Sequence, residues 1–285
     1  MSIVSRSNPA DLRITKEIFV SAIRFATSIE GPCPPFGDEL RTSAQEQVEY
    51  MLAEDEDTAM VLVYDEVRSA IAMGVSKVFC LFEMDLSSLL LDANLESEAA
   101  HKRILLRVAD LEWMCNVLLK MDLVKNFVLQ WTAISKKILA VIEDKKLDHV
   151  MWGLKAKMIE VTGKVLEAVG YGSVIVPALC RVQLLKTWLP YVRKMKPILD
   201  SKATEEIGFP YKMGEDLCQN IEGSIVSLVL TLPSNDQADI LADWIKGQEV
   251  QYPDLSEAFE VWCYRTKSAK RRLVEGLDGQ SDDSI

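Results

Sequence analysis

The sequence predicts an all-α protein, with nine to eleven helices joined by short loops and stacked in antiparallel pairs. Three observations predict it. Apolar residues recur at spacings of three and four along most of the 285 residues. The interruptions fall at glycine, proline and capping residues, as helix ends do. No segment sustains the apolar–polar alternation of a half-buried strand.

The first helix is read from Ile14. Thr15 is its predicted N-cap, Ile14 and Phe19 its hydrophobic staple, and Ile18, Ala22, Phe25 and Ile29 its apolar face. Gly31 and Pro32 end it, and the proline-rich GPCPPFGD is a rigid loop. Ser43 and Glu46 form a capping-box pattern ahead of Val48, Met51 and Leu52. The acidic run Glu54 to Asp57 is either a loop or the negative first turn of the next helix. Ala59 to Tyr64 contains β-branched residues but has helical neighbours, and is read as helix. Val67, Ile71, Val75, Val78 and Phe82 share one face, and a break is placed within Ser87 to Ser97.

The next stripe is Ile104, Val108, Leu111, Cys115 and Leu118. A helix over Leu123 to Ile142 carries Phe127, Trp131, Ile134 and Ile138. Leu147, Val150, Leu154, Met158, Val161 and Val165 form the longest regular stripe, stopped by Gly170-Tyr171-Gly172. Leu184, Leu185, Trp188 and Leu189 begin a helix that Pro190 should kink or restart. Asp200 to Pro210 is a polar connection. Leu217, Ile221, Ile225 and Leu228 mark a helix that stops at Leu232-Pro233. Two capping boxes, Ser234 with Gln237 and Asp254 with Glu257, start the last two helices. The first of these buries Ile240, Leu241, Trp244 and Ile245, and the second Leu255, Phe259 and Trp262.

The bulk composition excludes several function classes. A formal net charge of −11 makes the chain a poor general binder of nucleic acid or anionic membrane. Its first residues lack the apolar core of a signal peptide. The longest apolar run, around Ile225 to Leu232, is too short to span a bilayer. An intracellular protein, cytoplasmic or nuclear, is expected. Six scattered cysteines with no CxxC pair suit thiols packed within helices rather than a disulfide framework.

Residues for catalysis are sparse. His101 and His149 stand apart from other ligands at metal-binding spacing, so no metal site is expected. No GxSxG-like signature marks a nucleophile. Thr162-Gly163-Lys164 lacks the rest of a phosphate loop and lies within a helical stripe. Asp236, Asp239 and Asp243 share a helix face that reads as solvated surface. No catalytic residue, cofactor site or metal ligand is assigned, and an enzyme is not expected. Lys267, Lys270, Arg271 and Arg272 cluster ahead of an acidic tail; such a run suits a helix end or a nuclear localisation signal.

Six tryptophans, Trp113, Trp131, Trp152, Trp188, Trp244 and Trp262, lie within helical patterns. Filling the space between helices is the ordinary role for most of them, although tryptophan also anchors interfaces. Four short elements carry a resemblance. They are Leu111-Glu112-Trp113, LLKTWL at 184–189, LTLP at 230–233 with Gln237, Ile240, Leu241 and Trp244, and AFEVW at 258–262. In this order they resemble the C-terminal helical region of plant BTB/POZ domain-containing proteins, most strongly from about Ala99 to Arg265.

The resemblance implies a BACK-like helical domain. Trp113, Trp188, Trp244 and Trp262 are then structural members of its motifs, and the partner-binding residues are unassigned. It also implies a flexible N-terminus (1–13), linker helices that follow a BTB fold (14–98), the BACK-like domain (99–266) and a disordered charged tail (267–285). The BTB fold itself would precede this sequence. The implied function is that of a non-catalytic, substrate-specific adaptor of a cullin-3-type E3 ubiquitin ligase. Its partners would be cullin-3 and the proteins to be ubiquitinated, with most of the cullin contact carried by the BTB domain. The alternative is a helical interaction scaffold, or a dominant-negative regulator that holds substrate without recruiting a ligase.

Overall fold

The computed structural model describes residues 9–27, 39–54, 61–90, 98–147, 150–246 and 252–278. Among them lie ten α-helices and no strand: α1 Pro9–Ala26, α2 Glu39–Glu54, α3 Asp65–Leu89, α4 Glu98–Lys120, α5 Lys125–Ile142, α6 Trp152–Gly170, α7 Ala178–Glu205, α8 Glu215–Leu230, α9 Ser234–Lys246 and α10 Ser256–Asp278. The all-α expectation and the number of helices both hold. Among the described residues, no helix is long and apolar enough to cross a membrane. The chain divides into two compact units, Met1–Val161 and Thr162–Ile285.

In the first unit, α1 packs on α2 and α3. It starts at Pro9, where a proline costs no helical hydrogen bond. Thr15 is therefore inside the helix and caps nothing. Phe19, Ala22, Ile23 and Ala26 form the buried stripe, while Ile14, Ile18 and Phe25 lie exposed. The expected face is one residue out of phase, because α1 carries apolar residues on two adjacent faces. Ile29 and the GPCPPFGD loop lie outside the described residues. Helix α2 starts at Glu39, so Ser43 and Glu46 sit within it and form no capping box. Val48 and Met51 are buried as expected. Residues 62–64 form a turn rather than a helix, and the Tyr64 carbonyl accepts the Val67 and Arg68 amides.

Helix α3 buries Val67, Ile71, Val75, Val78 and Phe82, the full predicted face. It pairs with both α4 and α5. Helix α4 buries Ile104, Val108, Leu111, Cys115 and Leu118, also as predicted. It ends in a Schellman motif whose left-handed residue is Asp122 (φ 56°) rather than a glycine. There the Leu123 amide donates to Leu118 O at 2.9 Å and the Asp122 amide to Leu119 O. This sharp stop places α5 directly after α4. In α5, Phe127, Trp131 and Ile138 are fully buried and Ile134 is half-buried.

The stripe from Leu147 is interrupted. Met151 takes φ 58°, and α6 starts only at Trp152. Leu154, Met158, Val161 and Val165 are its buried face. Gly170-Tyr171-Gly172 stops it as expected, with Gly172 left-handed at φ 81°.

In the second unit, α7 runs unbroken through Pro190 and Pro197. The buried stripe Leu184, Leu185, Trp188, Leu189, Val192 and Met195 stays in phase across Pro190. That burial outweighs the roughly 3 kcal/mol a proline costs a helix interior. The helix also continues over Asp200 to Glu205, where a polar connection was expected. Pairs four residues apart support it there: Lys196 with Asp200, Ser201 with Glu205 and Lys202 with Glu206.

Two glycines of α6 serve close packing. A Cβ on Gly170 would stand 2.7 Å from the Ser224 carbonyl oxygen of α8, and one on Gly163 would stand 3.1 Å from Leu217. Thr162-Gly163-Lys164 is therefore a helix-packing element. Helix α10 runs through the basic cluster to Asp278.

Candidate functional site

The residues that carried the resemblance meet, for the most part, at one corner of the second unit. Helix α8 ends at Leu230, and Leu230 to Ser234 turn the chain into α9. This turn exposes carbonyls that no helix ladder can satisfy. Side chains from three helices supply the donors.

Gln237 of α9 donates its amide to Leu230 O at 3.2 Å and Leu232 O at 2.9 Å. The capping box expected between Ser234 and Gln237 is thus replaced: Gln237 reaches back to the end of α8. Arg265 of α10 donates to Leu230 O at 3.0 Å. Arg181 of α7 binds the Thr231 hydroxyl at 2.8 Å and its carbonyl at 3.2 Å. The Trp262 indole N–H donates to Ser234 O at 3.3 Å.

A second cluster joins the loop before α10 to α7, α8 and α9. The Trp244 indole donates to Pro253 O at 3.0 Å, and Arg193 to Trp244 O at 3.1 Å. Tyr252 donates its hydroxyl to Cys218 O at 3.0 Å. Burial pushes both the Tyr252 hydroxyl and the Cys218 thiol up, so both stay protonated at neutral pH. Asp254 caps α10: its carboxylate accepts the Ser256 amide and hydroxyl, and these bonds hold its pKa below the usual range. Glu222 of α8, not Glu257, closes the motif by accepting the Asp254 amide at 2.8 Å.

Trp188 and Trp131 are fully buried, whereas Trp113, Trp152, Trp244 and Trp262 are half-buried. Ile245 is exposed rather than buried. The motif elements at 230–241 and 258–262 therefore build a brace among α8 to α10, which α7 joins through Arg181 and Arg193, on either side of its 184–189 element. Leu111 and Trp113 lie on α4 of the first unit.

The first unit holds two features the sequence did not disclose. One is a buried ion pair. Asp110 of α4 is 4% exposed and receives Arg41 of α2 at 2.6 Å on each carboxylate oxygen. Burial raises the Asp110 pKa; Arg41, Arg107 and Gln45 oppose that rise. Arg107 also holds Asp85 of α3 at 2.8 Å, so the network links α2, α3 and α4.

The other is an open groove between α3 and α5 of about 770 Å³. Phe79 is its buried floor, braced by Phe127 edge-on at 4.9 Å. Cys80, Met84, Ala133 and Ile134 form its walls. Lys137 and Glu83 pair across it at 3.0 Å. Met84 is 62% exposed and Cys80 carries a free, exposed thiol. Its size and its mostly apolar surface, edged by Ser76, Glu83, Ser87, Ser88, Gln130 and Lys137, suit a binding site.

Among the described residues there is no group of three or more His, Cys, Asp or Glu that could hold a metal ion. His101 is half-buried on α4, and His149 lies outside the described residues. Asp239 pairs with Lys186 and Asp243 with Lys246, both at the surface.

Comparison with known proteins agrees with the motifs. The chain is 43% identical over 290 aligned positions to BTB/POZ domain-containing protein At3g05675 of Arabidopsis thaliana, covering 99% of this chain and 64% of that protein. It is 26% identical over 178 positions to BTB/POZ domain-containing protein At3g50780 of the same plant, covering 59% of this chain and 30% of that protein. The chain thus spans less than two thirds of the length of either relative. No solved structure matches it. The BTB/POZ ankyrin-like repeat family matches residues 53–269, most of the chain, and the chain belongs to that family.

Proposed function

We propose that this chain acts by binding other proteins, as the helical part of a substrate adaptor of a cullin-3-type ubiquitin ligase. It would position client proteins for ubiquitination and catalyse nothing itself. The observation that carries the reading is membership of the BTB/POZ ankyrin-like repeat family. The α3–α5 groove supports it, being an apolar, open surface on a packed helix pair.

The test is co-purification of the tagged chain with cullin-3 from plant cells, with quantitative recovery of ubiquitinated co-purifying proteins. The reading expects cullin-3 in the eluate and less client ubiquitination when the chain is depleted. Clients without cullin-3 would instead make the chain a scaffold, or a regulator that holds substrate away from the ligase.

A further inference from the structure

We propose that the α3–α5 groove receives an amphipathic helix of a partner protein, with its apolar face down and acidic residues along the edge that meets α5. The proposal rests on the reading that the chain works by binding proteins, but not on its link to a ligase.

The outer face of α3 is the first reason. Ser69, Ala72, Met73, Ser76, Cys80 and Met84 are all exposed and uncharged, and the one charged α3 residue lining the groove, Glu83, is half-buried and held by Lys137. A solvated helix face in a chain with 26% charged residues would ordinarily carry several charges. Met84, 62% exposed, stands beside the exposed Cys80 in the groove and is its most exposed large apolar member. Methionine also adapts to the shape of an incoming surface.

The shape of the groove is the second reason. Its walls follow helical steps: Ser76, Cys80 and Met84 on α3, and Gln130, Ala133 and Lys137 on α5. From Ser76 to Ser88 the α3 wall runs roughly 18 Å, a little over three helical turns. Both walls are helices whose backbone groups are already bonded, so an extended peptide would gain no main-chain pairing there. A third helix fits, with anchors at i, i+4 and i+7 lying between two ridges.

Charge decides the edge. Helix α5 contains Lys125, Lys136 and Lys137 and no acidic residue. Lys136 is exposed, one helical step from Ala133, and Lys137 is engaged at the rim by Glu83. An acidic edge on the guest helix would meet these lysines, and a basic edge would be repelled.

The experiment is selection of displayed random helical 14-residue peptides on the full chain. Retained peptides are then measured by fluorescence anisotropy on the wild type and on Met84→Glu and Ala133→Glu, both surface changes whose fold is checked by thermal melting. The expected result is enrichment of apolar residues at i, i+4 and i+7 with Asp or Glu on one edge. Binding should fall at least about tenfold on either groove variant, and Lys136→Glu should weaken the acid-edged peptides.

The proposal is overturned if no peptide is retained, if retained peptides bind the groove variants equally, or if they are extended or base-edged. It is also overturned if the chain self-associates and the groove variants abolish that association, which would make a second copy the occupant. Cullin-3 recovery is measured on the same variants. The groove can therefore fail while the ligase reading stands, and the reverse.

Discussion

Gln237 holds the turn between α8 and α9 from a buried position. It is 5% exposed, and its amide serves two carbonyls at the turn between α8 and α9. Gln237→Leu keeps much of the volume and removes both donors. Leu230 O keeps the Arg265 guanidinium, so the main loss is at Leu232 O. Leaving one buried carbonyl poorly satisfied costs about 1–3 kcal/mol.

Gln237→Glu has nearly the wild-type shape, yet at neutral pH it sets a carboxylate against two carbonyl oxygens. A buried, unpaired charge costs about 3–5 kcal/mol, of which the Arg265 guanidinium on the shared Leu230 carbonyl offsets part. Burial raises the pKa of that new carboxyl in the folded chain above its unfolded value of ~4.3. The folded state then binds the proton more tightly than the unfolded state. Stability is therefore retained below the unfolded value and lost as pH rises through the folded one. Urea denaturation followed by circular dichroism should rank Glu worse than Leu near pH 7, with the gap closing toward about pH 5. Equal losses near pH 7, or a loss under about 0.5 kcal/mol in both variants, would refute the donor role assigned to Gln237.

Three further perturbations test the packing and the electrostatics. Gly170→Ala should cost about 1–3 kcal/mol, because its Cβ meets the Ser224 backbone. Gly163→Ala should cost less, because its neighbours are side-chain atoms of Leu217 and Ile221 at 3.1 Å or more rather than backbone at 2.7 Å; equal urea midpoints for the two variants would contradict this. Asp110→Leu should cost about 3–5 kcal/mol by removing the carboxylate that holds Arg41, and the Arg41→Met/Asp110→Leu double variant should recover part of that; a strictly additive thermodynamic cycle would remove the pair from the account. Asp254→Ala should cost about 1 kcal/mol at neutral pH as a lost N-cap. Because the folded pKa of Asp254 is lowered, its contribution exists above the unfolded value and fades as pH falls through the folded one, so the difference should shrink on acidification.

The sequence disclosed stripes better than caps. Val67 to Phe82 and Ile104 to Leu118 read correctly because a wide apolar face in helical register has one burial solution. The phase of α1 was not legible because residue type does not separate its two faces. Ile18 and Phe25 are as apolar as Phe19 and Ile23, and only packing on α2 and α3 selects between them. Capping boxes failed at Ser43 and Ser234 for different reasons. Helix α2 begins a turn earlier than Ser43, and the Gln237 amide has a stronger demand from the end of α8.

Of the candidate site, the motif elements at 230–241 and 258–262 were legible, but their shared task at the Leu230–Ser234 turn was not. Hydrogen bonds between Arg181, Gln237, Trp262 and Arg265 and one turn join residues far apart in sequence. The α3–α5 groove was invisible for a related reason. Its walls come from two helices separated by α4, and only the lack of charge at Ser76, Cys80 and Met84 could have signalled it.

The measurement that tests the central claim most directly is interferometry of the purified full chain against purified cullin-3. The account predicts saturable binding that Met84→Glu leaves intact, since the groove proposal is independent of the cullin contact. No binding at any concentration reached, in the presence or absence of client peptide, would contradict the adaptor reading.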